Sequence, residues 1–401
     1  MRVLLSEGSS LTAREHLSVL GPAGVEVDVA DGNWSAIARF SRWRRRVVRV
    51  PRSGSDPLGY LDAVAALLRS GRYDALLPTH EQAWLFAAGR HRLPADAPLA
   101  VAGLDAFDAV QGKVACARLF DAVGLAQPEW AVVAGEDAAA LGRRLPWPLW
   151  LKASFSTAGR GVRFVATREE AERAVAGFRG LGPVLAQRPA AGVYAQVAGL
   201  FAHGRLVAVH CTEAVGVGAG GSAAARVGVD HPRARADLER LGRHLGWHGG
   251  LTLDYLHRDG VPVYIEANPR TVEPGNAAAS GVDLPALTVA LSRGDTPPPT
   301  PLLGRPGVRT HGTLALALGA AERTGSRGEV LRAWRDGLAA RGRWRGSREV
   351  LTPWREDPPS LVPVAVVAAR LLRDPAAAGR LAGAAVRDYA VPPAAVDAVR
   401  R

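Results

Sequence analysis

Gly250-Leu-Thr-Leu-Asp254-Tyr-Leu-His-Arg-Asp259-Gly260-Val-Pro-Val-Tyr-Ile-Glu266-Ala-Asn268-Pro269-Arg270 is the stretch from which the rest of the chain can be read. Asp259-Gly260 stands between two apolar runs, the pattern of a tight hairpin. The hairpin sets Asp254 and Glu266 on adjacent strands. Glu266 and Asn268 are two residues apart and so share a strand face. Three hard oxygen side chains then converge on one spot. Such donors suit Mg²⁺, which keeps several waters and takes carboxylates together with substrate phosphates. Arg270 joins that face if the strand continues, and a guanidinium there can grip a transferring phosphoryl group. A charged hairpin edge is the plain alternative. Against it, Glu266 interrupts an otherwise apolar run, Val261 to Ile265 and then Ala267.

Working upstream, only two of the 401 residues are lysine, Lys113 and Lys152, although Lys+Arg totals 50. The arginine- and alanine-heavy composition suggests a GC-rich coding bias. A position that stays lysine under it calls for a compact ammonium on a flexible stem. Ammonium groups bind phosphate as point charges. Lys152 ends an apolar strand and leads into Ala-Ser154-Phe-Ser156-Thr157-Ala-Gly159-Arg160-Gly161, followed by a β-rich run. Glycines let backbone N–H groups approach phosphate oxygens, and hydroxyls add donors. This is not a Walker A loop, because no Gly-Lys-Ser/Thr opens a helix. An ordinary hairpin loop is the competing reading.

The first hundred residues alternate strand and helix. Val3-Leu4-Leu5, Val25 to Val29, Val47 to Val50 and Tyr73 to Leu77 read as strands. A helix is expected after an N-cap at Ser10 or Thr12, and another from Pro57 to Ser70. That order predicts a parallel sheet, with ligands at the carboxyl ends of its strands. Glu81 follows the fourth strand. It either faces a ligand or is an acid at a helix N-terminus. Leu104 to Val123 reads as one helix. An α+β unit then runs to Gln187, and a larger antiparallel unit to Asp295. Thr296-Pro-Pro-Pro-Thr-Pro marks a boundary.

Together these signals resemble the ATP-grasp superfamily, most closely its carbamoyl-phosphate-synthase-like, carboxylate–amine ligase branch, over about residues 1 to 295. The Glu-Ala-Asn-Pro-Arg string, followed by Ser280-Gly281-Val282-Asp283-Leu284-Pro285, carries the most specific part of the match. The resemblance implies an α/β and α+β architecture: an N-terminal parallel βαβ domain (1–103), linker helices with a small central lid domain (104–187), a larger antiparallel-sheet domain with the Mg²⁺ site (188–295), and an Arg-rich extension (296–401). It implies ATP as cofactor, with Mg²⁺ or Mn²⁺ held by Asp254, Glu266 and Asn268. Lys113 and Lys152 match the two nucleotide lysines. Ser154, Ser156, Thr157, Gly159 and Gly161 fall in the glycine-rich loop. Gln187 and Arg188 fall in the hinge against which adenine packs, although the family often has glutamate where Arg188 stands. Arg270 is the phosphate-contacting arginine. Arg226, beside Gly220-Gly221-Ser222, is the candidate grip for a substrate carboxylate. His210 and Glu213 either orient substrates or are structural. The implied reaction phosphorylates a carboxylate, and an amine then displaces phosphate. Joining two amino acids is the commonest outcome in this branch. A carboxylase or kinase with a non-amine acceptor and a non-catalytic ATP-binding regulator are the alternatives. A homodimer is the family's expectation.

Composition narrows the remaining classes. Hydrophobic residues make up 48% and charged residues 22%, as in a soluble globular chain. No apolar run reaches the roughly 20 residues of a membrane span. The start, Met1-Arg2-Val3-Leu4-Leu5, is expected to enter a strand rather than to be a signal peptide. Cys116 and Cys211 make neither a disulfide framework nor a zinc motif. A cytoplasmic location is therefore expected. The net charge is +12, and from Thr296 on 17 arginines face 9 acids. Arg341-Gly-Arg343-Trp-Arg345 could meet a polyanion, but no nucleic-acid motif accompanies it, and a solvated basic face is expected.

Overall fold

A computed structural model describes residues 1–133, 138–154 and 161–400. Three sheets organise it. The first is fully parallel, in the order Arg44–Val48, Glu26–Ala30, Arg2–Leu5, Ala75–Leu77. Its helices start as the sequence dictates. Ser10 caps Leu11–Leu20 through a bond from the Ala13 amide. Asp56 caps Pro57–Arg69, with Pro57 at the position where a missing N–H costs nothing.

The second sheet is antiparallel, in the order Trp130–Val133, Val184–Gln187, Leu149–Ala153, Val162–Val165. It has its own small core, including Leu141, Leu149, Leu151, Val165 and Phe178. The third sheet has eight strands. Val261–Asn268, Gly249–Arg258, Val193–Ala202, Arg205–Val217 and Ala223–Val229 run in that order, and all are antiparallel. Arg309–His311 and Arg348–Glu349 extend the sheet beyond them, and Leu302–Leu303 pairs with Arg205–Val217. The Pro-rich run at 296–301 therefore does not end this sheet. The chain beyond it supplies three of the strands. A continuous core joins the third sheet to the first unit through Phe201, Phe107 and Trp247, the last two with ring centroids 5.1 Å apart.

Two local differences from the sequence reading matter for the site. The helix expected over 104–123 is two helices, Leu104–Gln111 and Lys113–Ala122. Gly112 leaves the helix for an extended conformation (φ −79°, ψ 131°). Glycine, already the weakest helix former, yields there most readily. The break puts Lys113 in the first turn of the second helix. The Asp259-Gly260 hairpin forms as expected, with φ of 50° and 76° at the two turn residues, the signature of a primed turn that matches strand twist. Among the described residues no helix is long and apolar enough to cross a membrane.

Candidate active site

Strand register builds the site. Glu266 pairs with Asp254, Asp254 with Gln196, and Gln196 with Thr212. Paired residues of antiparallel strands point to one face, so these four side chains form a row across the third sheet. Arg226 lies one pair further along, opposite Ala214, and reaches Thr212 Oγ1 at 3.5 Å. Within the row Gln196 Nε2 donates to Asp254 Oδ1 at 2.6 Å, and Asn268 Nδ2 to Asp254 Oδ2 at 3.1 Å. The three expected metal ligands are thus brought together.

Both lysines reach the same place from other elements. Lys113 forms an ion pair with Glu266 Oε1. Lys152 donates to Gln187 Oε1 at 2.8 Å and to the Ile265 carbonyl at 3.0 Å. The charges tune one another. Burial raises the Asp254 carboxyl to about 6, with Glu266 adding to the rise. Burial also works on Glu266, but Lys113, then Lys152 and Arg270, outweigh it and hold that carboxyl below its usual range. Two carboxylates whose environments push them apart, beside two ammonium groups, suit a divalent cation and anionic phosphates. Beside them lies a cleft with ≈ 270 Å³ of open space, its walls including Val110, Phe120, Leu185 and Ala267. Its lining is part apolar and part polar, with Lys113, Gln187 and Glu266 contributing the polar groups.

Other expected residues sit differently. The strand ends at Asn268, and Arg270 turns back, its amide bonding the Asn268 carbonyl. Its guanidinium meets His80 Nε2 at 3.2 Å, linking the third sheet to the first unit. Glu81 is the N-cap residue of Gln82–Ala88, and its Oε2 accepts the Val391 amide at 2.6 Å. Burial raises its carboxyl. Arg188 bonds the carbonyls of Pro146 and Trp147 on the outside, away from Lys152. Gln187 alone of the hinge pair faces the site. Ser154 is buried with its hydroxyl unpartnered, and the Gly161 carbonyl accepts the Ala153 amide. Ser156, Thr157 and Gly159 lie outside the described residues.

His210 and Glu213 separate. They are three apart on one strand and so face opposite sides. His210 is clamped by Asn276 Oδ1 at 2.6 Å and by Gly304, where a Cβ would come 1.9 Å from Nδ1. Glu213 faces away from the row, toward His231 and His257.

A second pocket, with ≈ 340 Å³ of open space counting the solvent at its mouth, adjoins the row at Arg226 and was not foreseen. Glu15, Glu273, Asn276 and Leu11 help to line it. Arg226 pairs with Glu273 at 2.9 Å, both side chains largely buried. Glu273 holds φ at 42°, a left-handed conformation unusual for glutamate. Burial and then Glu273 push the Glu15 carboxyl up to about 8. The pocket thus presents one cation and two acids side by side. Glu15 lies on a helix that the sequence marks only by its cap, and Glu273 in the turn after Arg270, and neither position carries a chemical motif. The left-handed backbone at Glu273 is invisible in sequence.

Comparison with known proteins agrees with this architecture. No family model matches the chain. Its sequence is 28% identical over 198 residues to the carbamoyl phosphate synthase large chain of Deinococcus deserti, a match covering 44% of this chain and 18% of that protein. The chain therefore spans less than a fifth of that curated relative. Among solved structures, it resembles N5-carboxyaminoimidazole synthetase of Staphylococcus aureus complexed with ADP (TM-score 0.60, 12% identity, 79% of this chain and 84% of that one). It also resembles biotin carboxylase of Campylobacter jejuni (TM-score 0.57, 15% identity, 74% and 72%). A third is the L-amino acid ligase of Bacillus licheniformis (TM-score 0.53, 16% identity, 73% and 73%). The chain thus has the fold of these three structures, and its sequence similarity runs to part of a carbamoyl phosphate synthase large chain.

Proposed function

We propose that the protein is an ATP-dependent, ADP-forming carboxylate–amine ligase that joins two amino acids through an acyl phosphate. The observation that carries this reading is adjacency. A row of carboxylates flanked by both lysines of the chain runs directly into a pocket that offers Arg226 beside Glu273 and Glu15. In the reading, ATP lies with its base in the Phe120–Leu185 cleft and its phosphates toward Lys113 and Lys152. Asp254, Glu266 and Asn268 would hold Mg²⁺, whose charge would offset the repulsion between a substrate carboxylate and the γ-phosphate. Arg270 adds a guanidinium to the transferring group. An amino acid fits the second pocket by charge: Arg226 for its carboxylate, and the Glu273–Glu15 pair for its ammonium. Keeping water from the acyl phosphate falls, in this reading, to the glycine-rich loop, whose residues 155–160 lie outside the described residues.

The test is ADP release from ATP and Mg²⁺ across a matrix of amino-acid pairs, with mass spectrometry of the products. ADP that requires a particular pair, with a new amide mass, supports the proposal. ADP with no amine present would instead mark a carboxylase- or kinase-type acceptor, and would overturn it.

A further inference from the structure

The back of the third sheet carries a second cluster of ligating groups. Glu213 projects there from Arg205–Val217, and His257 from Gly249–Arg258. His231 is the residue just before the helix Pro232–His244. Glu213 Oε1 lies 3.0 Å from His257 Nε2 and 3.5 Å from His231 Nε2. One ligand atom from each of the three lies within 4.8 Å of the others. A tetrahedral zinc with bonds of about 2.0–2.1 Å sets neighbouring ligand atoms about 3.3 Å apart, the spacing seen around Glu213. Both histidine side chains are about nine-tenths buried (10% and 9% exposed), whereas Glu213 is 25% exposed. Nε2 of His257 is buried, and its close approach to Glu213 is not aligned as a hydrogen bond. The other ring nitrogen of His231, Nδ1, meets the Tyr255 hydroxyl at 2.6 Å, and Tyr255 is fully buried. Such an outer contact fixes the orientation of a metal-ligating imidazole.

We propose that Glu213, His231 and His257 form a transition-metal site of the zinc type, on the opposite face of the sheet from the Asp254–Glu266 row. Two imidazoles and one carboxylate select zinc-like cations over Mg²⁺, which prefers oxygen throughout. Three protein ligands leave a fourth position, and the exposed side of Glu213 leaves it open to water. The site joins the strands of Thr212 and Asp254 from behind and ties both to the start of a helix. Occupation moves one proton. The Gly260 amide donates to His257 Nδ1 at 3.3 Å, which puts the proton of the neutral ring on Nε2. The cation takes Nε2, the proton passes through solvent to Nδ1, and the Gly260 amide turns to water at the hairpin.

The test strips the full-length protein with a chelator, then adds Zn²⁺, or Co²⁺ as a spectroscopic probe, in the presence of excess Mg²⁺. The proposal expects one retained equivalent of zinc, a tetrahedral cobalt spectrum without thiolate charge transfer, and a shifted Gly260 amide resonance. Glu213→Gln and His257→Gln lose the retained metal, and Asp254→Asn keeps it. Circular dichroism checks that the variants fold, and the wild-type spectrum needs no variant. The proposal is overturned if wild-type protein retains no zinc at micromolar concentrations. Retention by His257→Gln, loss in Asp254→Asn, or a cobalt–thiolate band from the neighbouring Cys211 would overturn it equally.

Discussion

Lys152 makes two bonds, and both acceptors, Gln187 Oε1 and the Ile265 carbonyl, are neutral. Burial therefore dominates. It pushes the ammonium down to about 8, with Glu266 opposing and Lys113 assisting. An ordinary lysine titrates near 10.4, so it stays charged throughout the working range. This one does not. If phosphate binding needs the charged form, about nine-tenths of empty sites are competent at pH 7 and about one-tenth at pH 9. The Kd for ATP should rise about tenfold across that interval, a loss of about 1.4 kcal/mol. The assay is titration calorimetry at constant ionic strength at pH 7, 8 and 9. Lys152→Arg, charged throughout, should bind with a flat profile, and Lys152→Met weakly at every pH. The stability of the empty protein moves the other way. The folded-state pKa lies below the unfolded one, so between pH 8 and 10.4 the unfolded chain binds the extra proton. The burial penalty is present below pH 8 and is relieved as pH rises, by up to about 3 kcal/mol. The readout is the difference between wild type and Lys152→Met. Cys116 and Cys211, which burial pushes up to about 12, pull stability downward above pH 9 in both proteins. A wild-type Kd that changes less than about twofold from pH 7 to 9, or a Lys152→Arg profile that matches it, would refute the reasoning.

Three further outcomes are expected. Glu266→Gln should lower ADP formation at least about a hundredfold, because a cation ligand and the partner of Lys113 go together; unchanged turnover would remove Glu266 from the metal set. Arg226→Met leaves Glu273 buried without its partner and should cost about 3–5 kcal/mol in denaturant unfolding. Adding Glu273→Gln should return part of that loss, and strictly additive losses would show that the pair is not coupled. Glu15 has its folded-state pKa raised to about 8, so its contribution is full below the unfolded value near 4.5 and is lost as pH rises through 8. Glu15→Gln should therefore flatten the decline in stability between pH 5 and 8, and a parallel decline in the variant would contradict the assignment.

What could be read from the sequence was whatever lay on one strand or stood out by rarity. Asp254, Glu266 and Asn268 were legible as hard donors gathered on one hairpin, with period-two alternation putting Glu266 and Asn268 on one face. The turn register alone sets Asp254 opposite Ile265, and the shift after Tyr255 that brings it opposite Glu266 was not legible. Lys113 and Lys152 were legible because the chain keeps almost no other lysine. The same alternation separates His210 from Glu213, three apart, although their chemistry invites treating them alike. The Arg226 pocket was not legible. Its acids come from a helix of the first unit and from a turn after Arg270, and only the packed fold makes them neighbours. Arg188 shows the converse: a residue in the right place along the chain whose side chain leaves the site for two surface carbonyls.

The C-terminal segment gives the strongest case for reading the chain as one unit. Its sequence announced only basic charge. In the fold it returns to the first unit and packs where the strands of the parallel sheet end. The Tyr389 ring packs tilted against His80 with centroids 4.1 Å apart, the Tyr389 carbonyl accepts from Gln82, and the Val391 amide donates to Glu81. Arg400 then pairs with Asp108, and Val399 enters the main core. His80 is the residue that meets Arg270. A continuous path of contacts therefore runs from the last helix, through Tyr389 and His80, to the guanidinium beside the carboxylate row. Glu81 is buried and already occupied by that tail, so it serves to anchor the segment. The hairpin holds the Arg270 backbone through the Asn268 carbonyl and the Thr252 hydroxyl, while its guanidinium meets a His80 that Tyr389 backs from the far end of the chain.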